Sequence, residues 1–417
     1  MELALNSASR RFLAAAGIFL CALYLSLDWR IFSAAWLAEN PNLKSLQLAA
    51  RLDPTNGEYR DRIGRYYAFA TQQPIEAVPN FRAAVQLNPH SARYWFDLAS
   101  AYQVESNAPQ EAFALERASE AEPTSPEVAW EAGNLYLAEG NTPKALREFR
   151  IVLENDPALA PLAIQYCWRA RPDVDELLKN VVPNKAAADL AFLNLLMAEN
   201  QASSAPKVWD ALMSSPDSVE LRQLFDYFQF LINHQMADQA RQAWQQAMTR
   251  SGMFSYLPSP NNLIVNGDFR LNVLNGGFDW QYRKQEGVKL TLDSGDFHGG
   301  HRSLSITFDG AGIADAGVRQ YISVHPKTEY KFSAYYKNGD LEGAGGAHIT
   351  IEDPYKQSAL YDSDELKETG FWKSITGEFV TSEDCRLLLL QIRRLPEGSP
   401  IRGKLWVDDF RLVAKAQ

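Results

Sequence analysis

The side chains best equipped for chemistry gather in the last third of the chain. "IEDPYKQSALYDSDE", residues 351 to 365, supplies Glu352, Asp353, Asp362 and Asp364. Paired acids of this kind could protonate a glycosidic oxygen and activate a nucleophile. Acids around a proline are also ordinary turn formers. His298 and His301 flank two glycines, without a cysteine or carboxylate at the spacing that would complete a metal site. The three cysteines, Cys21, Cys167 and Cys385, form no CxxC pair, and Cys167 and Cys385 read as buried free thiols. No nucleophile elbow, phosphate loop or zinc helix occurs. These residues lead us to expect a protein that binds rather than catalyses.

The composition bounds what can be bound. A chain of 417 residues exceeds one ordinary core, and 46% apolar with 22% charged residues describes a folded chain of two or three domains. The net charge of −10 would repel a phosphate backbone, so nucleic acid is not an expected partner. Arg10 and Arg11 precede sixteen uncharged residues, Phe12 to Leu27, followed by Asp28, Trp29 and Arg30. A helix rising 1.5 Å per residue would reach ~24 Å, enough to span a bilayer with snorkelling arginines and an interfacial tryptophan. We expect a tail at 1–11 and a transmembrane signal-anchor helix at 12–30. The tail would be inside and the rest outside the cytoplasm, on the periplasmic side if the cell is Gram-negative. A signal peptide and a buried core helix are the alternatives, although "SAA" followed by Trp36 is a poor cleavage site.

Prolines pace the middle of the chain. Pro54, Pro89, Pro123 and Pro157 stand 35, 34 and 34 residues apart. Between the last two, Ala129, Ala132, Gly133 and Tyr136 mark one helical face and Ala145, Phe149 and Val152 another, with "EGNTP" between them. Small residues allow close helix approach, bulky ones fill the gap, and proline ends the second helix. Trp95, Leu98, Ala99, Tyr102 and Ala118 repeat the pattern, as do Ile63, Gly64, Tyr67, Phe81 and Ala84, with the extra residue expected in the inter-helix turn. It loosens after Pro157 and returns at Ala205, Trp209 and Leu212 and at Ala240, Trp244 and Ala247. The spacing resembles the tetratricopeptide repeat. That resemblance implies an α-solenoid over 31–254 whose hairpins stack into a groove for a protein partner.

At "SYLPSPNN", 255–262, helical periodicity gives way to short alternating runs set between Gly, Asp and Asn. The expected fold of 263–417 is an all-β sandwich. "NLIVNGDF", "GHRSLSI", "YISVHPKTEYKFSAYYK", "GFWKSITGEFVT" and "KLWVDDFRL" resemble the galactose-binding-like jelly rolls, in particular carbohydrate-binding modules. The resemblance implies glycan binding, and in many relatives a structural calcium near the opening "NGDF". Asp268 and Asp408 are the candidate ligands, and Arg270 stands where those relatives carry a glutamate. Sugar recognition needs an aromatic face and hydroxyl-pairing side chains. With alternation at period two, neighbouring strands would place Tyr335, His348, Glu352, Gln391 and Arg393 on one polar face, and Trp280 could overhang it from a glycine-rich loop. Trp372 and Trp406 read as core.

The expected protein is therefore a membrane-anchored adaptor outside the cytoplasm. Its solenoid would bind protein and its jelly roll polysaccharide, in the assembly or export of a surface polysaccharide. The alternative is a pure protein-interaction scaffold whose sandwich binds no sugar.

Overall fold

A computed structural model describes residues 8–40, 42–366 and 370–415, so most of the expected tail lies outside the described residues. Two compact units make up the chain, Met1–Pro183 and Asn184–Gln417.

The first unit is helical: α1 (Ala8–Ala38), α2 (Leu43–Leu52), α3 (Gly57–Arg65), α4 (Pro74–Leu87), α5 (Ala92–Val104), α6 (Ala108–Ala121), α7 (Pro126–Ala138), α8 (Thr142–Asn155), α9 (Ala160–Ala170) and α10 (Val174–Asn180). Consecutive helices pack as hairpins, α1 on α2, α3 on α4, α5 on α6 and α7 on α8. The small-against-large rule holds at the atomic level. A Cβ on Gly64 would come 2.7 Å from the Phe81 ring, and one on Gly133 would come 3.0 Å from Phe149. Neither glycine can gain a side chain without moving its aromatic partner.

The turns of the last three hairpins each hold one left-handed residue, and these too recur every 34 positions: Gln72, Ser106 and Gly140, with φ of 54°, 57° and 76°. After α5 and α7 the following amides reach back to helix carbonyls, Asn107 to Tyr102 at 2.9 Å and Asn141 to Tyr136 at 2.7 Å. This is the Schellman closure of a helix C-terminus. The 35-residue spacing has a different cause from the one expected. The extra residue sits inside the first helix of that hairpin, where Tyr66–Ala70 winds as a π-helix. A single added residue is absorbed by widening one turn, which leaves the turn to α4 its usual length.

α1 is continuous from Ala8 to Ala38, and Arg11–Ala38 is long and apolar enough to cross a membrane. Phe12, Phe19, Leu20, Leu25 and Trp29 stand exposed along it. Its last turns do something else. Ala34 and Ala38 pack with Leu46, Ala49, Tyr59 and Ile63. Arg30 donates to the Leu52 carbonyl at 2.9 Å, and Arg62 to that of Ala38 at 3.0 Å.

The second unit opens with α11 (Ala186–Ala198), α12 (Ala205–Ser214), α13 (Phe225–Asn233) and α14 (Ala237–Arg250), whose turns carry Asn200 and Gln235 at φ of 58° and 61°. Trp209 stacks on Tyr227 at 4.7 Å and donates to Gln246 at 2.6 Å. Ten strands follow: β1 (Gln281–Tyr282), β2 (Val288–Asp293), β3 (Ser303–Gly312), β4 (Asp315–Ser323), β5 (Glu329–Gly343), β6 (Gly346–Asp353), β7 (Ser358–Asp362), β8 (Lys373–Val380), β9 (Leu387–Leu395) and β10 (Pro400–Ala414). They form two antiparallel sheets, β1-β4-β9-β6-β7 and β2-β3-β10-β5-β8. The core between them includes Phe269, Tyr330, Phe332, Ile349, Leu390 and Phe410.

The loop before β1 is pressed onto the helices of its own unit. A Cβ on Gly276 would lie 2.3 Å from Phe225, and one on Gly277 would lie 2.2 Å from Trp244. Trp244 donates to the Tyr256 carbonyl at 3.0 Å, and the Tyr256 hydroxyl to that of Asn272 at 2.7 Å. Asp238 of α14 pairs with Arg386 at 3.5 Å.

Candidate functional site

The first sheet turns one face to the core and a polar face outward. Along β4, β9 and β6, Val318, Ile322, Leu388, Leu390, Ile392, Ala347, Ile349 and Ile351 point inward. The intervening residues point outward because successive side chains alternate. Strand register then sets them in rows. Gln281 pairs with Arg319, Arg319 with Gln391, Gln391 with Thr350 and Thr350 with Asp362, a continuous line across five strands. A second row runs Asp315, Arg393, His348, and a third Tyr321, Leu389, Glu352.

Hydrogen bonds hold the rows in place. Arg319 donates to Gln281 at 3.1 Å, and Gln391 to Glu352 at 3.2 Å. Arg393 pairs with Glu397 and stands 4.0 Å from Glu352. His348 Nδ1 meets the Ser363 carbonyl at 2.8 Å, with Asp362 at 3.4 Å. Arg283 bonds Asp315 at 2.6 Å. Thr350 Oγ1 is buried without a partner, an unspent donor and acceptor under the middle row. The Tyr355 hydroxyl, likewise unpartnered, is pushed up to about 12 by burial and by neighbouring Tyr321. Amides, guanidinium groups and carboxylates at strand spacing suit a ligand rich in hydroxyls.

Four of the expected residues, His348, Glu352, Gln391 and Arg393, therefore do share this face. Tyr335 does not. β5 belongs to the other sheet, so Tyr335 points out on the opposite side of the sandwich. There it stacks on His298 at 3.5 Å, and His298 Nδ1 is held 2.7 Å from Asp409. Trp280 is also corrected. It is fully buried, stacked on Phe269 at 5.1 Å and edge-on to Phe410 at 5.0 Å, and its Nε1 donates to the Asn266 carbonyl. No ring face is left for a sugar. Trp372 and Trp406, expected in the core, are half-buried on the second sheet's outer side. Trp406 lies under Lys404 at 4.2 Å and donates to Asp293 at 2.9 Å.

Asp268 and Asp408 do not make a calcium shell. Asp268 Oδ2 accepts from Arg270 Nε at 2.6 Å. Asp408 is buried and accepts from the backbone amides of His298, Gly299 and Asp409 at 2.9, 3.0 and 2.8 Å. Burial pushes its carboxyl up to about 6, against those amide bonds. A cation would have to compete with Arg270 for Asp268 and with three backbone amides for Asp408. Among the described residues no group of three His, Cys, Asp or Glu could hold a metal ion.

Arg319, Gln281 and Tyr321 were missed from sequence. The strand "GVRQYIS" hides its alternation, because Gln320 on the inward side is polar, buried and bonded to the Val265 carbonyl at 2.8 Å. A second polar surface, on α3 and α5, was equally silent. Glu58 bonds Arg62 at 2.8 Å and pairs with Arg93, while Arg65 bonds Asp97 at 2.7 Å. Among them Asp61 is fully buried with neither oxygen receiving a donor. Burial and adjacent Asp97 push its carboxyl far up, so that a protonated Asp61 can donate to Asp97. These positions lie on the first helices of successive hairpins.

The family model described as "Carbohydrate binding domain" matches residues 261–393, which include nearly all of the polar rows. No curated protein matches the chain. Among solved structures, the chain is similar to one described as "CBM4 structure and function", at 15% identity over 36% of this chain and 99% of that one, with a TM-score of 0.28. It is similar to the CBM22-1 xylan-binding domain of Xyn10C from Paenibacillus barcinonensis, at 20% identity over 36% and 94%, TM-score 0.26. It is also similar to pilF of Pseudomonas aeruginosa, at 16% identity over 54% and 90%, TM-score 0.26.

Proposed function

We propose that this protein is a non-catalytic adaptor that binds glycan on the outer face of the β1-β4-β9-β6-β7 sheet and protein on its helical hairpins. The observation that carries the reading is the row Gln281, Arg319, Gln391, Thr350, Asp362, within a segment matching a carbohydrate-binding domain along most of its length. A flat array of amides and charged groups can pair with sugar hydroxyls at several points at once. The apolar α1 supports attachment to a membrane, and glycan binding suits a location outside the cytoplasm, with surface polysaccharide assembly or export as the setting.

A glycan array probed with the full chain in detergent tests this. Binding should be lost in Gln391→Ala and kept in Tyr335→Ala, since Tyr335 is on the other sheet. The reverse pattern would move the site to the second sheet. One observation favours the scaffold alternative: Tyr321, the ring on the polar face, is only 7% exposed and offers a sugar little stacking surface. Silence across the array would select that alternative.

A further inference from the structure

The polar face ends against a helix. From the third row onward the outward residues of β4 and β9 become covered, Tyr321 on β4 and Leu387 and Leu389 on β9 being buried although none belongs to the sandwich core. α14 packs on β4, and Asp238 on it holds Arg386, the residue preceding β9. Between α14, the connector and β4 lies a cavity of about 240 Å³ walled by Trp244, Pro258, Phe278 and Tyr321, with Arg241 and Gln245 contributed by α14. Asp238, Arg241 and Gln245 are spaced i, i+3, i+7 and share one helix face. The sheet thus has a helical wall along one side.

Two arginines approach Tyr321 from these two elements. Arg319 places its guanidinium 5.5 Å from the ring centroid, with its Nε on Gln281. Arg241, exposed, lines the cavity that Tyr321 closes. Among the described residues neither has a carboxylate partner, whereas Arg283 and Arg393 on the same face are matched by Asp315 and by Glu397 with Glu352. An exposed arginine alone is commonplace. Two unmatched ones bordering the same ring, in a chain of net charge −10, are a local concentration of positive charge with fork geometry suited to carboxylate.

We propose that this corner selects a carboxylate-bearing sugar. Arg319 and Arg241 take the carboxylate of a uronic acid residue while Gln391 holds a hydroxyl, so that a helix outside the sandwich chooses the glycan. This rests on the sheet face being the glycan site and adds the class of sugar.

The full chain in detergent is titrated calorimetrically with polygalacturonate and with the same polymer after carboxyl reduction. The acidic polymer should bind about tenfold more tightly or better, and the preference should shrink as salt rises. Arg241→Ala should remove about tenfold of that affinity and leave the reduced polymer unaffected, with Arg241→Lys, a charge without the fork, in between. Equal affinity for the two polymers, or Arg241→Ala retaining the full preference, overturns the inference; if Gln391→Ala then still weakens both, the glycan reading stands. Silence toward both polymers overturns the inference, and silence toward a panel of neutral glycans as well removes the reading beneath it.

Discussion

Gly277 and Gly252 have the same kind of backbone and opposite surroundings, which makes them a matched pair of probes. Both have positive φ, 59° and 68°. A Cβ on Gly252 meets nothing within 4 Å, whereas one on Gly277 would lie 2.2 Å from Trp244, whose indole is buried and tied to the Tyr256 carbonyl. Gly252→Ala therefore costs only the left-handed backbone, ~1 kcal/mol. Gly277→Ala adds the overpacking of a fixed ring, another ~2 kcal/mol, for ~3 kcal/mol in all. At ~2–4 °C per kcal/mol for a unit of this size, the expected drops in Tm are ~3 °C and ~9 °C. Calorimetric scans of the full chain in detergent, with tryptophan fluorescence to follow Trp244, give the measurement. Equal losses for the two variants would mean that the loop and α14 are not packed as described.

Three further outcomes follow from buried groups. Burial holds the Asp279 and Asp189 carboxyls at about 7, Asp189 also feeling Asp217, and holds Asp61 well above its ordinary range, so the folded chain binds more protons than the unfolded one between pH about 4 and 7. Stability is then greatest at the acid end of that window and falls as pH rises through it; a thermal scan series should show this, and Asp279→Asn should flatten the slope. Because Arg270 and backbone amides occupy Asp268 and Asp408, neither calcium nor chelator should move Tm by more than ~1 °C, and a larger rise with calcium would refute that donor assignment. Trp280→Ala should cost ~3–5 kcal/mol through the cavity it leaves among Phe269 and Phe410, and a folded variant that merely loses sugar affinity would contradict its placement.

The hairpins were readable because their determinants are local. A small residue facing an aromatic and a proline at the end recur at a fixed step, and Gly133 with Phe149 shows the step is a packing rule. The turns were not readable, since Gln72, Ser106, Gly140, Asn200 and Gln235 share a conformation and no side-chain type. In the sandwich, alternation sorted the residues of β5, β6 and β9 correctly, misplaced Trp406 in β10, and brought β6 and β9 together but wrongly added β5. Whether Tyr335 stands beside Gln391 depends on β5 joining β10 and β8 rather than β9, a pairing written nowhere near either residue. Trp280 misled because "GGFDWQY" has the composition of a loop, while the ring within it is gripped by Phe269 and Phe410, the latter 130 positions away.

α1 begins as an oily rod and ends, without a break, as a strut of the first hairpin, pinned there by Ala34, Ala38 and the Arg30 bond to Leu52. Such a shaft has no swivel. Whatever medium grips Phe12 to Leu27 also sets the azimuth of the hairpin above it, so a torque on either is felt by both, and a glycine pair inserted near Ser33 would act as a clutch.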